Sequence, residues 1–222
     1  MEQEPKQIKS KHRVINYGEV FTAQREVDAM LDLVKSKAKS IESRILEPAC
    51  GNGNFLVEIL HRRLQTIRKR DDIKDRRFKI LVALSAIYGV DIQQDNVTEA
   101  RNRMTDVVRK EAKDVSDEPF LNNVSKILEH NIIKGDFING KDKIYFIEYT
   151  PDYHKRTFSI CLHNLADLET EEIDADTLFL NLDAAISRRK RRDKRRINAI
   201  IKEEDEIKIQ RPLVREPELF NE

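Results

Sequence analysis

The sequence predicts a doubly wound α/β fold, and three observations carry that reading. Short runs rich in Ile, Val and Tyr are separated by stretches of helical periodicity; a glycine-containing turn joins the first run to its helix; and the runs end in carboxylates. Strands separated by helices pair in parallel, with helices on both faces of the sheet.

Each element has its own signal. Residues 1–13 lack periodicity and read as a mobile arm. From Gln24 to Ile41, Val27, Met30, Leu31, Val34 and Ala38 recur at helical spacing, which predicts an amphipathic helix. RILEPACGNGNF then reads as a strand, a tight turn and the start of a helix whose apolar face carries Phe55, Leu56, Ile59, Leu60 and Leu64. A charged bend, RKRDDIKDRR, leads to a helix over Phe78–Ile87 and a second strand, IYGVD, ending at Asp91. The next helix aligns Val97, Ala100, Met104, Val107 and Val108, and after the loop DVSDEP a further helix spans Leu121–Glu129. NIIKGD is the third strand and KIYFIEY the fourth; TFSICL is close enough to the fourth to pair with it as a hairpin. From about Asp176 a long charged helix is expected, ending before Pro212. The division is an arm over 1–13, a domain over 14–165 and a charged helical extension over 166–222.

Composition narrows the class. Charged residues make up 36% of the 222 residues, aromatics 6%, and Trp is absent, so the core rests on Leu, Ile and Val. The longest apolar run, ILVALSAIYGV, is too short to cross a bilayer, and the first residues are polar where a signal peptide is apolar; a cytoplasmic protein with no membrane partner is expected. Cys50 and Cys161 form no Cys-x-x-Cys pair, and His61, His130, His154 and His163 lack ligand spacing, so no metal is expected. The net charge of +1 conceals segregation: RRKRRDKRR at 188–196 is followed by EEDE at 203–206.

In an open parallel sheet, ligands bind at the carboxyl ends of the strands. Here the first strand ends in Glu47-Pro48-Ala49-Cys50-Gly51-Asn52-Gly53, whose glycines permit a tight turn and close ligand approach. Leu56 stands where a dinucleotide fingerprint needs a third small residue, which counts against nicotinamide and flavin cofactors. The second strand ends in Asp91, a carboxylate able to accept from both hydroxyls of a ribose. The third ends in Gly135-Asp136-Phe137: an acceptor for an exocyclic amine beside a ring that stacks on a purine. Asp91 and Asp136 have an alternative use, capping the helices that follow them.

Together, YGEVFTAQREVDAML, ILEPACGNGNFL, IYGVDI and IIKGDF resemble the ordered motifs of class I methyltransferases that use S-adenosylmethionine, and more narrowly the adenine-N6 DNA methyltransferases of restriction-modification systems. Ala23 departs from the Gly-x-x-x-Thr-Pro form of the opening motif. The resemblance implies a Rossmann-like sheet, truncated here, in which Phe21 and Thr22 flank the cofactor and Glu47, Ala49, Gly51 and Gly53 surround its methionine part. Asp91, with Ile92 beside it, would hold the ribose, and Asp136 and Phe137 the adenine.

The resembled enzymes end their fourth strand in (Asn/Asp/Ser)-Pro-Pro-(Tyr/Phe), which accepts the adenine amine and stacks on the flipped base. Thr150-Pro151-Asp152-Tyr153 stands at that place, so Thr150, Pro151 and Tyr153 are the catalytic candidates. Thr150 offers only a hydroxyl, and Asp152 loosens a loop that a proline would stiffen. Pro-Asp also suits a turn between KIYFIEY and TFSICL, and that reading is preferred. The residues beyond TFSICL are rich in charge, and no target-recognition region is expected among them. DNA contact falls to Arg188, Arg189, Lys190, Arg191, Arg192, Lys194, Arg195 and Arg196, which neutralise phosphates without reading sequence. The resemblance leaves two functions: a DNA adenine methyltransferase with an altered catalytic loop, completed by a partner subunit, or a non-catalytic subunit that holds cofactor and DNA.

Overall fold

Alternation along the second strand sets the layers. The computed structural model describes residues 8–67, 71–165 and, for their backbone, 170–173. Strand β1 (Ile45–Glu47) pairs in parallel with β2 (Ile87–Asp91), and β2 with β3 (Ile132–Lys134), giving the order β1-β2-β3. Successive side chains of a strand face opposite ways. A Cβ at Gly89 would lie 2.8 Å from Leu56, so that face lies against helix α4 (Asn54–Thr66). Tyr88 and Val90 face the other way and pack with Ile144 and Phe146.

The α/β class holds, with helices α1 (Lys11–Tyr17), α2 (Gln24–Leu33), α3 (Lys35–Lys39), α4, α5 (Ile73–Ser85), α6 (Gln94–Glu111) and α7 (Glu118–Asn131). Leu56, Ile59 and Leu60 of α4 are buried beside Val97, Ala100, Met104 and Val108 of α6. Each large aliphatic side chain so buried contributes roughly 1.5–3 kcal/mol. Side-chain caps start α5 and α7: Asp72 accepts from the amides of Lys74 and Asp75, and Asp117 from that of Phe120. The cap at Asp72 draws half of the charged bend into α5, which therefore starts before Phe78.

Three expectations are corrected. The helix over Gln24–Ile41 is broken at Val34, and of its expected stripe Val27, Leu31 and Ala38 are buried while Met30 and Val34 are exposed. Of the residues assigned to the arm, 11–13 begin α1, whose N-cap Ser10 accepts from the Arg13 amide, and ion pairs from Lys9 and Arg13 to Asp95 dock this stretch on α6. The fourth strand, β4 (Tyr145–Asp152), does not extend the parallel sheet; it pairs antiparallel with β5 (Thr157–Asn164), which pairs with β6 (Thr170–Ile173). The link 135–144 holds one 3-10 turn, over Lys141–Lys143, and is shorter than the dozen or so residues that a parallel crossover takes. The expected hairpin therefore forms as part of a second sheet.

Phe146 meets Tyr88 edge to face at 5.3 Å, and the Tyr88 hydroxyl donates to the Ile147 carbonyl at 3.0 Å. These contacts tie β4 to the face of β2 away from α4. No helix among the described residues is long and apolar enough to cross a membrane. The chain divides into residues 1–175 and 176–222. The second unit, which carries the expected charged helix, lies outside the described residues.

Candidate functional site

Parallel pairing brings three strand ends to one edge, and the ladder continues past them. The Cys50 amide donates to the Val90 carbonyl at 2.8 Å and the Gly135 amide to the Asp91 carbonyl at 3.0 Å. Glu47 to Cys50, Asp91 with Ile92, and Gly135 with Asp136 consequently open on one cavity of about 600 Å³, a size typical of small-molecule sites. The segment 17–22 after α1 closes one side, with Phe21 and Thr22 in the wall. Asn54 Nδ2 donates to the Thr22 carbonyl at 2.8 Å, joining that segment to the first turn of α4.

Two glycines shape the loop. Gly51 has φ 52°, and a Cβ there would meet the Phe21 ring at 3.2 Å; Gly53 has φ 86°, and a Cβ there would lie 2.8 Å from Ala100 Cβ. Left-handed backbone and close approach both require glycine. The loop is held from below by Asp91, whose Oδ2 accepts from the Gly51 amide at 2.9 Å. Asp91 Oδ1 accepts from the Gln93 amide at 2.8 Å and from Asn96 Nδ2 at 3.2 Å. Asp136 accepts from the Asn139 amide at 2.9 Å, from Asn139 Nδ2 at 3.1 Å and from the Ile138 amide at 3.0 Å, and these bonds hold its carboxyl below the usual range. Both carboxylates thus cap the backbone just beyond their strands and also line the cavity. Phe137 packs on the cluster of Tyr88, Val90, Ile144 and Phe146, with the Lys141 ammonium 5.6 Å from its ring centroid. Ile92 and Ile138 stand exposed in the lining.

No family model, curated protein or solved structure matches this chain. The reading of the site therefore rests on its chemistry.

Every charged residue in the lining is acidic: Glu19, Glu47, Asp91 and Asp136. Burial raises the Glu47 carboxyl above its usual value, against the opposing effect of the Ala49 amide 3.4 Å away. Burial, helped by the charges of Asp91 and Glu47, pushes the Cys50 thiol up to about 12. That shift disfavours a nucleophilic role for Cys50, because the thiolate is the reactive form. Two lining acceptors are buried without a partner among the described residues, Glu19 Oε1 and Asn52 Oδ1. An acid-walled cavity with unfilled acceptors fits a ligand rich in donors and neutral or cationic where it touches the wall, and disfavours a pyrophosphate.

Nine of the ten cofactor candidates, Phe21, Thr22, Glu47, Ala49, Gly51, Asp91, Ile92, Asp136 and Phe137, line the cavity; the tenth, Gly53, does not, and packs against Ala100 of α6 instead. Glu19, Asn52, Gln93 and Asn139 line it too, beyond the residues that the sequence predicts. Glu19 lies inside the opening motif, but nothing local marks it, since its partners Arg13 and Asn96 come from α1 and α6.

The catalytic candidates are elsewhere. Thr150, Pro151 and Tyr153 are not in the lining. Thr150 and Pro151 pair with Ser159 and Phe158 across the hairpin, and Asp152 accepts from the amides of His154 and Lys155 in its turn. The Tyr153 hydroxyl donates to Glu42 Oε1, and its ring meets Phe78 edge to face at 5.5 Å. Arg188 to Arg192 and Lys194 to Arg196 lie outside the described residues.

Proposed function

We propose that the chain is an S-adenosylmethionine-binding protein of the class I, adenine-N6 DNA methyltransferase type, serving as a cofactor-holding module and not as a complete methyltransferase. The observation that carries this reading is the acid-only cavity at the carboxyl ends of three parallel strands, lined by Gly51 and Asn52 of the glycine turn. A nucleotide ligand would need cations or a row of free amides for its phosphates. Four carboxylates instead favour a nucleoside that carries positive charge.

In this reading Asp91 takes the ribose, Asp136 the exocyclic amine of the adenine, and Phe137 with Ile92 the faces of its ring. Glu47, raised by burial and lacking a cationic neighbour in its own hydrogen bonding, accepts the ammonium of the methionine part. The chemistry that the cofactor supplies is a methyl group on a sulfonium sulfur, made transferable by the positive charge. The protein's part is to orient that group and exclude phosphate-bearing competitors.

Placement of Thr150 to Tyr153 in a hairpin, away from the lining, favours the non-catalytic form of the proposal. A partner subunit would then contribute the base-holding loop and target recognition, and DNA contact would fall to the basic block 188–196. Calorimetric titration with S-adenosylmethionine, S-adenosylhomocysteine, ATP and NAD tests the cofactor. Binding of the first two, weakened by Ile92→Glu at the exposed lip, is expected. Preference for ATP or NAD, or no binding by the adenosyl ligands, would sink the proposal.

A further inference from the structure

Asp91 has less acceptor capacity than its position at the strand end promises. An ionised carboxylate offers about four lone-pair sites. Three are filled from within the protein: two on Oδ1, by the Gln93 amide at 2.8 Å and Asn96 Nδ2 at 3.2 Å, and one on Oδ2, by the Gly51 amide at 2.9 Å. The remaining site suffices for one hydroxyl of a vicinal diol, whereas both hydroxyls lose water on entering a buried site and both need an acceptor.

The cavity wall holds a second carboxylate with spare capacity. Glu19 keeps 9% of its side chain exposed; its Oε2 accepts from Arg13 at 2.7 Å and from Asn96 Nδ2 at 2.8 Å. Its Oε1 is shut off from solvent and has no partner among the described residues. Buried acceptors without partners are uncommon, and at a ligand site they mark where a donor belongs. The amide of Asn96, itself 1% exposed, donates to both Glu19 and Asp91 and so yokes the two carboxylates.

We propose that Glu19 and Asp91 divide the recognition of a vicinal diol between them, each carboxylate accepting one hydroxyl while Asn96 holds the pair in register. The inference rests on the nucleoside reading of the cavity and deepens it. Two adjacent carboxylates also repel a phosphate on either hydroxyl, so the pair selects an unmodified ribose. Glu19 comes from the segment after α1, which Lys9 and Arg13 hold to Asp95 and Glu99 of α6. Docking of α1 therefore delivers the second acceptor.

The test is calorimetry with S-adenosylhomocysteine and its 2′-deoxy and 3′-deoxy forms, on the wild type and on Glu19→Ala, Glu19→Gln and Arg13→Gln. In the wild type each missing hydroxyl should weaken binding about 10- to 100-fold, the usual effect of a hydrogen bond to a charged group. In Glu19→Ala one of the two deoxy ligands should bind as well as the parent. Glu19→Gln, which preserves the shape of the wall, should shrink the same penalty. Arg13→Gln loosens the segment but leaves the acceptor in place, and should weaken all three ligands alike. Deoxy penalties in both Glu19 variants equal to those of the wild type would overturn the shared diol and leave the cofactor reading standing. Failure of the wild type to bind S-adenosylhomocysteine would overturn both.

Discussion

The Gly51 amide donates to Asp91 Oδ2 at 2.9 Å, so the acid at the end of β2 holds the turn after β1. Asp91 is thus a structural residue as well as a candidate ligand contact. Asp91→Ala strips acceptors from the Gly51 and Gln93 amides and from Asn96, and should lower the free energy of unfolding by about 2–3 kcal/mol. Asp91→Asn retains the shape but sets an NH2 group against one set of donors, and should fall between the two. Urea unfolding measures both. Equal stability of wild type and Asp91→Ala would show that the glycine turn stands without its anchor.

Gly53 ties the same turn to α6 by contact. Gly53→Ala combines a φ of 86° with a Cβ placed 2.8 Å from Ala100 Cβ, and should cost roughly 2–4 kcal/mol. In an Ala100→Gly background the steric part is relieved and the backbone part remains. A double-mutant cycle should therefore return a coupling of about 1 kcal/mol or more. Additive effects would mean that α4 and α6 separate freely at this point.

How much of the fold and site was legible in the sequence depends on the range of each interaction. IYGVD marks β2 from end to end because all five residues, Ile87 to Asp91, are buried, and burial on both faces leaves a continuous apolar run. The strand-end acids and the glycine turn were legible for the same reason: strand, turn and helix are adjacent in sequence. Helix α1 was not, since it has no buried residue and depends on ion pairs from Lys9 and Arg13 to Asp95. Glu19 and Asn96 carry no local signal either, their contact spanning 77 positions. KIYFIEY marks a strand and the nearness of TFSICL marks its hairpin partner, but its departure from the parallel sheet was decided by the length of the link before it.

Burial of His130 sets an acid limit on stability. Its Nδ1 lies 2.5 Å from the Tyr149 hydroxyl, joining α7 to β4, and burial lowers its pKa from 6.5 to about 4. At pH 7 the imidazole is neutral in the folded and the unfolded chain, and nothing is lost. As pH falls below about 6.5 the unfolded chain takes up a proton that the fold refuses, so stability declines until about pH 4, by on the order of 3 kcal/mol. His130→Gln should remove that part of the slope between pH 7 and 5 in urea titrations. An unchanged slope would show that the imidazole protonates in place.

The hairpin makes a last prediction about the altered tetrapeptide. If Thr150 to Tyr153 were a methyltransferase loop spoiled by two substitutions, Thr150→Asn with Asp152→Pro would restore the letters of the resembled enzymes and, with them, methyl transfer to DNA. The geometry argues otherwise. Thr150 pairs with Ser159 in a continuous ladder, and Asp152 closes the turn through the amides of His154 and Lys155. A proline at 152 removes that carboxylate and cannot donate from its own backbone nitrogen, so the double variant should lose about 1–2 kcal/mol of stability. Labelled methyl transfer should stay absent, because the lining of the cavity does not include these residues. Transfer that appeared in the double variant, with stability maintained, would mean that the hairpin opens and the loop reaches the cofactor; the chain would then be a disabled enzyme and not a binding module.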